Sequence, residues 1–170
     1  MTHERLIALS ATSDSPAHRA SRISAWLPVI LGTIMIAITS SNAFSSDSTS
    51  GPFRWLYESI FGPVPEHRWH IIHFFIRKGM HFFGYGVYGL LWLRAWWITL
   101  PNSRFWQDAI LAVLGCGVVA SSDEFHQHFL RQRTGSPRDV LLDCCGALTL
   151  LLVSYLILRV FRPERLSHSA

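Results

Sequence analysis

Three polar side chains within an otherwise hydrophobic segment have the spacing of one helical face. Lys78 and His81 are three residues apart, and Tyr85 follows four residues after the histidine. Residues three and four apart are neighbours on a helix surface, so the segment predicts a stripe that carries an ammonium, an imidazole and a phenol. Such a stripe can bind an anion or transfer protons.

A second hydrophobic segment has a small residue at every fourth position: Ala112, Cys116 and Ala120. The same row continues into Glu124 and His128, and Asp123 and Gln127 lie beside it. Small residues let membrane helices approach one another closely. The row therefore predicts a helix contact that leads directly to the acid.

A third segment begins with Asp139 and Asp143, one helical turn apart. The helix dipole favours an acid in the first turn, which suits Asp139. Asp143 lies deeper, where an ionised carboxylate that faced lipid would cost ~2.5–3.5 kcal/mol. We therefore expect Asp143 to point into the protein, towards Arg133, Arg138 or Lys78.

These segments belong to a chain with the composition of a membrane protein. Hydrophobic residues make up 49% of its 170 residues, and a membrane-spanning helix needs roughly 20 of them in a row. Four stretches qualify: Ile23 to Ala43, His73 to Trp97, Gln107 to Glu124 and Val140 to Phe161. We predict an all-α integral membrane four-helix bundle.

The domain prediction follows from these spans. Residues 1–22 form a disordered cytoplasmic tail, residues 23–161 form the transmembrane domain, and residues 162–170 form a short C-terminal tail. Cleavage of the first span as a signal peptide is the competing interpretation of the N-terminal region. The cysteines, all inside predicted spans, are expected to be free: Cys116, Cys144 and Cys145.

The charge pattern favours lipids as partners. The net charge is +4, with basic residues at the ends of the predicted helices, where anionic headgroups would meet them. No soluble domain remains that could carry a nucleic-acid groove. An even number of spans places both basic tails on one side, which we take as cytoplasmic. The polar clusters then face outward, at the outer side of a plasma membrane.

Three functions compete for the polar clusters. We favour binding of an anionic headgroup or phosphate, because arginine side chains clamp such oxygens. A membrane enzyme with Glu124 or His81 as general base is one alternative, and its turnover would have a bell-shaped pH profile. A buried ion network with a structural or partner-binding role is the other. The oligomeric state is left open.

A metal site is disfavoured. Glu124 and His128 have the spacing of two ligands on one helix, and His81 would complete a set of three. Lys78 nearby would repel a cation, however, and the chain lacks the paired-ligand motif of zinc helices. We therefore predict no metal and no cofactor.

At these clusters the chain resembles the VanZ-like family of small bacterial membrane proteins. The resemblance depends on three motifs in order: Arg77-Lys78-Gly79-Met80-His81-Phe82 with Tyr85, Asp123-Glu124-Phe125-His126-Gln127 with Arg133, and Gly135-Ser136-Pro137-Arg138-Asp139 running on through Asp143 to Gly146-Ala147. It covers about residues 25 to 160. Gly84 stands where the family often has an acidic residue.

The resemblance implies a four-helix, multi-pass protein of the bacterial inner membrane. The family takes its name from a member linked to low-level resistance to the glycopeptide teicoplanin, so a role in antibiotic resistance at the cell envelope is implied by analogy. Together the residues and the resemblance give one candidate polar pocket: Lys78, His81, Tyr85, Asp123, Glu124, Gln127, Arg133, Arg138, Asp139 and Asp143. Its expected ligand is an anionic envelope component, either a lipid headgroup or a lipid-linked precursor.

Overall fold

A computed structural model describes residues 16–41, 45–100, 102–128 and 136–162, with the backbone alone for residues 16–20. The elements are α1 (Pro16–Thr39), α2 (Ser46–Phe61), α3 (Glu66–Thr99), α4 (Phe105–His128) and α5 (Pro137–Phe161). These ranges contain no strand, so the prediction of an all-α protein is confirmed. Arg131 and Arg133 lie outside the described residues, as do residues 1–15 and 163–170 of the predicted tails.

The helix count differs from the prediction of four. Five helices are present in the described ranges, and three segments are long and apolar enough to cross a membrane: Ser21–Thr39, Phe105–His128 and Pro137–Phe161. The helix α3 is long enough as well, with 34 residues. Its many glycine, tyrosine, tryptophan and histidine residues lower its mean hydropathy below that of the other three.

Both ends of α1 are shifted towards the N-terminus relative to the predicted span. The helix begins at Pro16, so it includes the last part of the predicted disordered tail. Proline is favoured in the first helical turn because its missing N–H has no helical partner there. The helix ends at Thr39 and not at Ala43. Its backbone tightens there into a three-residue turn, in which the Ser41 N–H donates to the Ile38 carbonyl at 3.1 Å, and the Ser40 hydroxyl donates to Asp123 on α4.

The segment between the first two predicted spans, residues 44–72, contains the additional helix α2. Ser45 caps its start, since the serine hydroxyl accepts a hydrogen bond from the Ser48 N–H at 3.3 Å. Gly62 ends it with a φ of 84°, a left-handed conformation that favours glycine. Large apolar side chains of α2 remain exposed, among them Trp55 and Phe61. An amphipathic helix of this kind is suited to a membrane interface.

Arg54 ties α2 to the start of α3. Its guanidinium donates hydrogen bonds to Glu58 at 3.0 Å, to the Val64 carbonyl at 2.9 Å, and to Glu66. The bond from Arg54 lowers the pKa of the Glu58 carboxyl, and the bond to Glu58 raises the pKa of Arg54. The turn between the two helices is thus fixed by one charged side chain.

The helix α3 lies at the centre and packs against α1, α4 and α5, most extensively against α5. At the crossing with α5, a Cβ added to Gly146 would lie 2.0 Å from the Phe82 carbonyl oxygen. The two backbones are therefore in direct contact. The predicted small-residue row is confirmed, because each of its members is fully buried: Ala112, Cys116 and Ala120. All three cysteines are free, as predicted.

The two ends of this helix assembly have different chemistry. At one end, aromatic rings from neighbouring helices are in contact: Trp26 and Trp96 have ring centroids 4.8 Å apart, and Trp106 and Tyr155 have centroids 4.6 Å apart. At the other end lie the end of α1, the first half of α3, the end of α4 and the start of α5. The polar side chains of the three motifs are at this second end.

Candidate functional site

The site is built where α3 crosses α5. The close contact of Gly146 with Phe82 brings the preceding turn of α5 opposite the preceding turn of α3. Lys78 forms an ion pair with Asp139, and His81 Nδ1 lies 3.2 Å from Asp143 Oδ1. Two pairs, one turn apart, thus line the same helix contact.

Among the described residues, these two pairs give Asp143 a different partner from the expected Lys78, while the expected Arg133 lies outside the described residues. The sequence predicted Arg133, Arg138 or Lys78, because opposite charges attract. In the structure Asp143 is 1% exposed and contacts His81, while Lys78 is used by Asp139 one turn nearer to the surface. The depth of Asp143 on α5, set by the contact at Gly146, determines its partner.

Glu124 brings α4 into the same site. Its side chain is 6% exposed, and its Oε2 accepts a hydrogen bond from the Ser136 N–H at 2.6 Å. Its Oε1 is buried and has no hydrogen-bond partner among the described residues. One ligand atom each from His81, Glu124 and Asp143 lies within 4.8 Å of the other two. Three helices therefore converge on one small polar space.

A second polar network lies beside this space. Asp123 Oδ2 accepts hydrogen bonds from the Ser40 hydroxyl at 2.5 Å and from Gln127 Nε2 at 2.8 Å. Gln127 Nε2 also donates to the Ser40 hydroxyl at 2.6 Å. Ser40 and Gln127 are buried. The network joins the end of α1 to the end of α4, next to Glu124.

The remaining pocket residues predicted from the sequence have different surroundings. Tyr85 is buried one turn below His81, and its hydroxyl has no hydrogen-bond partner within the described segments. Arg138 is exposed at the start of α5. Arg133 lies outside the described residues. The alternative ligand set with His128 is not assembled, since His128 is exposed and Asp143 is the residue that lies near His81 and Glu124.

Two residues of the site were not in the sequence prediction, Ser40 and Ser136. Ser136 contributes through its backbone N–H, for which the residue type gives no signal. Ser40 belongs to a serine-rich stretch at the end of the first predicted span, with Ser41, Ser45 and Ser46. That stretch was the available signal for a hydroxyl near the acids.

An open groove begins at the ion pair of Lys78 and Asp139. Its volume is about 380 Å³, and its lining combines apolar, cationic and hydroxyl side chains: Phe74, Lys78, Ser136, Arg138, Asp139 and Leu142. The Lys78 ammonium lies 5.4 Å from the centre of the Phe74 ring. A second groove, of about 420 Å³ between α4 and α5, is lined by apolar residues alone, such as Leu114 and Leu152, and offers no polar chemistry.

The order of these motifs along the chain agrees with a known family. The sequence model of the VanZ/LLP1 family matches residues 24–159, which is most of the chain and includes every helix that contributes to the site. The chain belongs to the VanZ/LLP1 family. Comparisons with curated proteins and with solved structures found no match.

Membership in the VanZ/LLP1 family confirms the resemblance seen in the motifs. It agrees with the apolar helices of the structure, and the protein is a VanZ-type membrane protein. The matched range begins inside α1 and ends inside α5, so the unit that the family model matches is the helix assembly. The polar site lies within that unit.

Proposed function

We propose that this VanZ/LLP1 protein binds the anionic headgroup of a membrane lipid, or of a lipid-linked envelope precursor, in the groove beside Lys78 and Arg138. The observation that carries the proposal is the lining of that groove. It combines two cationic side chains with the apolar surface of Phe74 and Leu142. The phosphate of a lipid would contact the cationic side chains, and the first part of its acyl chain would contact the apolar surface.

The charge balance in the groove favours an anion. Lys78 and Asp139 form an ion pair, so their charges largely cancel. Arg138 is exposed and lies at the N-terminus of α5, where the helix dipole adds a partial positive charge. Its planar guanidinium can bind two phosphate oxygens at once.

The proposal includes four membrane spans, with α3 as the fourth. At ~1.5 Å per residue, the 34 residues of α3 are roughly 50 Å long, against ~30 Å for the hydrocarbon core. The helix can therefore span the bilayer and still extend beyond it at the polar end. Four spans put both chain ends on one side of the membrane, and the basic residues near those ends favour the cytoplasmic side. The groove then opens at the outer face of a bacterial plasma membrane.

The orientation is tested by two reporter fusions in the intact chain. One reporter follows Ala170 and the other is inserted in the connection of residues 129–135. We expect cytoplasmic activity for the first and external activity for the second. Cytoplasmic activity of the second would remove the envelope-facing function.

Headgroup binding is tested with the purified chain in lipid nanodiscs of phosphatidylcholine with and without phosphatidylglycerol. Native mass spectrometry measures the bound anionic lipid. Loss of a charge-assisted hydrogen bond of ~1.5–3 kcal/mol is expected to weaken binding roughly 10- to 100-fold in Arg138→Gln. Arg104→Gln removes the same charge from an exposed residue between α3 and α4 and should leave the affinity unchanged. Wild-type affinity in Arg138→Gln would disprove the proposed site.

We also propose that binding in this groove contributes to teicoplanin resistance. A protein that binds anionic lipid precursors would alter how much precursor is accessible to a glycopeptide. Expression of wild-type protein is then expected to raise the inhibitory concentration of teicoplanin, and expression of Arg138→Gln is not. Equal protection by both proteins would show that resistance does not depend on the groove.

An acid–base enzyme is the second candidate, and the contact of His81 with buried Asp143 favours it. A carboxylate that orients an imidazole is a common arrangement for a general base. Loss of headgroup turnover in His81→Gln, with lipid binding retained, would select the enzyme over a simple binding protein.

A further inference from the structure

We propose that His81, Glu124 and Asp143 form a binding site for a divalent transition-metal ion, Zn²⁺ or Mn²⁺. The site goes beyond headgroup binding and does not depend on it. One ligand atom from each of the three residues lies within 4.8 Å of the other two. An imidazole with two carboxylates is a ligand set that both ions accept.

The free oxygen of Glu124 is the first argument. Its Oε1 is buried without a hydrogen-bond partner in the described part of the chain, while Oε2 accepts the bond from the Ser136 N–H. A buried acceptor left unsatisfied costs ~1–3 kcal/mol, and more when it is charged. A cation coordinated by this oxygen removes that cost.

The charges in the site are the second argument. Glu124 and Asp143 are both nearly inaccessible to water, and two carboxylates this close repel each other unless a cation or a proton lies between them. A divalent ion balances both carboxylates, and the neutral imidazole completes the set. Each ligand comes from a different helix, so one ion would join α3, α4 and α5.

Lys78 no longer opposes a cation at this place. The sequence disfavoured a metal because the lysine would repel it, but Lys78 forms an ion pair with Asp139. That carboxylate offsets the lysine charge. The structure also replaces the exposed His128 of the earlier ligand set by the buried Asp143.

The geometry requires only a small movement of side chains. Ligand atoms ~2.0–2.2 Å from a tetrahedral metal are roughly 3.3–3.6 Å apart. Atoms now within 4.8 Å of one another would each move by about 1 Å or less. Three protein ligands leave one coordination position open, as in catalytic sites. The bond between Ser136 and Glu124 is a second contact of the kind that orients a metal ligand.

The test measures metal content directly. The full chain is purified in detergent through a tag without histidines, stripped with EDTA, and titrated with Zn²⁺ or Mn²⁺ alone, with the bound ion measured by mass spectrometry. We expect one ion per chain, and an affinity at least tenfold lower in His81→Gln, Glu124→Gln and Asp143→Asn. Less than half an ion per wild-type chain for both metals would overturn the proposal.

The matched control is His70→Gln. His70 also lies on α3 and contacts a carboxylate, since its Nε2 is 3.3 Å from Glu66 Oε1, but this pair is exposed. The substitution should leave the stoichiometry and affinity unchanged. An equal loss in His70→Gln would show that the ion is held by surface histidines, against the proposal.

A further variant covers the case in which the ligand variants do not fold. His81→Cys replaces the imidazole with a thiolate, which prefers Zn²⁺ over Mn²⁺. We expect the ratio of Zn²⁺ to Mn²⁺ affinity to rise at least tenfold. A buried ion network without a metal would leave that ratio unchanged, and this result would refute the site. Because no lipid is present in either titration, the outcome is independent of headgroup binding.

Discussion

Gly146→Ala is the substitution that tests the helix crossing on which the whole site depends. A Cβ at this position would lie 2.0 Å from the Phe82 carbonyl oxygen and 2.8 Å from the Phe82 carbonyl carbon, whereas real Cβ contacts are essentially never below 3.0 Å. The atoms in contact belong to the backbone and cannot rotate away. The helices α3 and α5 must therefore separate by about 1 Å, the difference between 3.0 and 2.0 Å.

The separation has an energetic cost that follows from two contacts. Overpacking of a well-packed contact costs ~1–3 kcal/mol. The contact of His81 with Asp143, now 3.2 Å, would lengthen to about 4.2 Å if the displacement lies along it, and a lost hydrogen bond between membrane helices costs ~0.6–1.7 kcal/mol. We expect a total destabilisation of about 2–5 kcal/mol, which is roughly a 30- to 4,000-fold change in the unfolding equilibrium.

The assay is equilibrium unfolding of the purified chain by titration of SDS into dodecyl maltoside micelles, followed by tryptophan fluorescence. Gly84→Ala is the control, because a Cβ added there meets nothing within 4 Å, and alanine raises helix propensity by up to ~1 kcal/mol. A free energy of unfolding for Gly146→Ala within about 0.5 kcal/mol of wild type would refute the close crossing. The register of α3 against α5 would then have to be different.

Two more substitutions test the remaining helix contacts. Arg54→Met removes the side chain that joins α2 to the start of α3, so hydrogen exchange of the α2 amides should accelerate about tenfold. The control Arg104→Gln should leave that exchange rate unchanged. An unchanged rate in Arg54→Met would mean that Arg54 does not fix the turn. Tyr88→Phe removes the 2.5 Å hydrogen bond between Tyr88 and Thr33. Since the Thr33 hydroxyl keeps its bond to the Val29 carbonyl, we expect a loss of only ~0.6 kcal/mol in the free energy of unfolding. A loss above about 2 kcal/mol would contradict this.

The hydrophobic periodicity of the sequence predicts the helices that cross the centre of the structure. The row from Ala112 to Glu124 is buried along its length. This agrees with the sequence pattern, because small residues at every fourth position allow a close helix contact. Hydrophobic periodicity does not predict α2. Its first five residues are serine, aspartate and threonine, so its mean hydropathy is low. The capping residues Ser45 and Gly62 are the signals that could have revealed this helix.

The sequence predicts most residues of the site but not which of them contact each other. Charge alone suggested that Asp143 would meet an arginine or Lys78, because opposite charges attract. The actual partner, His81, follows from the register of two helices, which depends on a backbone contact at Gly146. The contribution of Ser136 is still harder to foresee, because it comes from a main-chain N–H.

The hydrogen bond from Ser136 to Glu124 has a consequence for the connection between α4 and α5. The chain leaves α4 at His128 and returns at Ser136, four residues beyond Glu124 at one end and bonded to its carboxylate at the other. Glu124 is therefore both a wall of the internal polar space and the hydrogen-bond acceptor for Ser136, the residue that caps the start of α5. A shift of the Glu124 carboxylate would therefore move the start of α5, where Arg138 and Asp139 line the groove, so the buried polar space and the groove are mechanically linked.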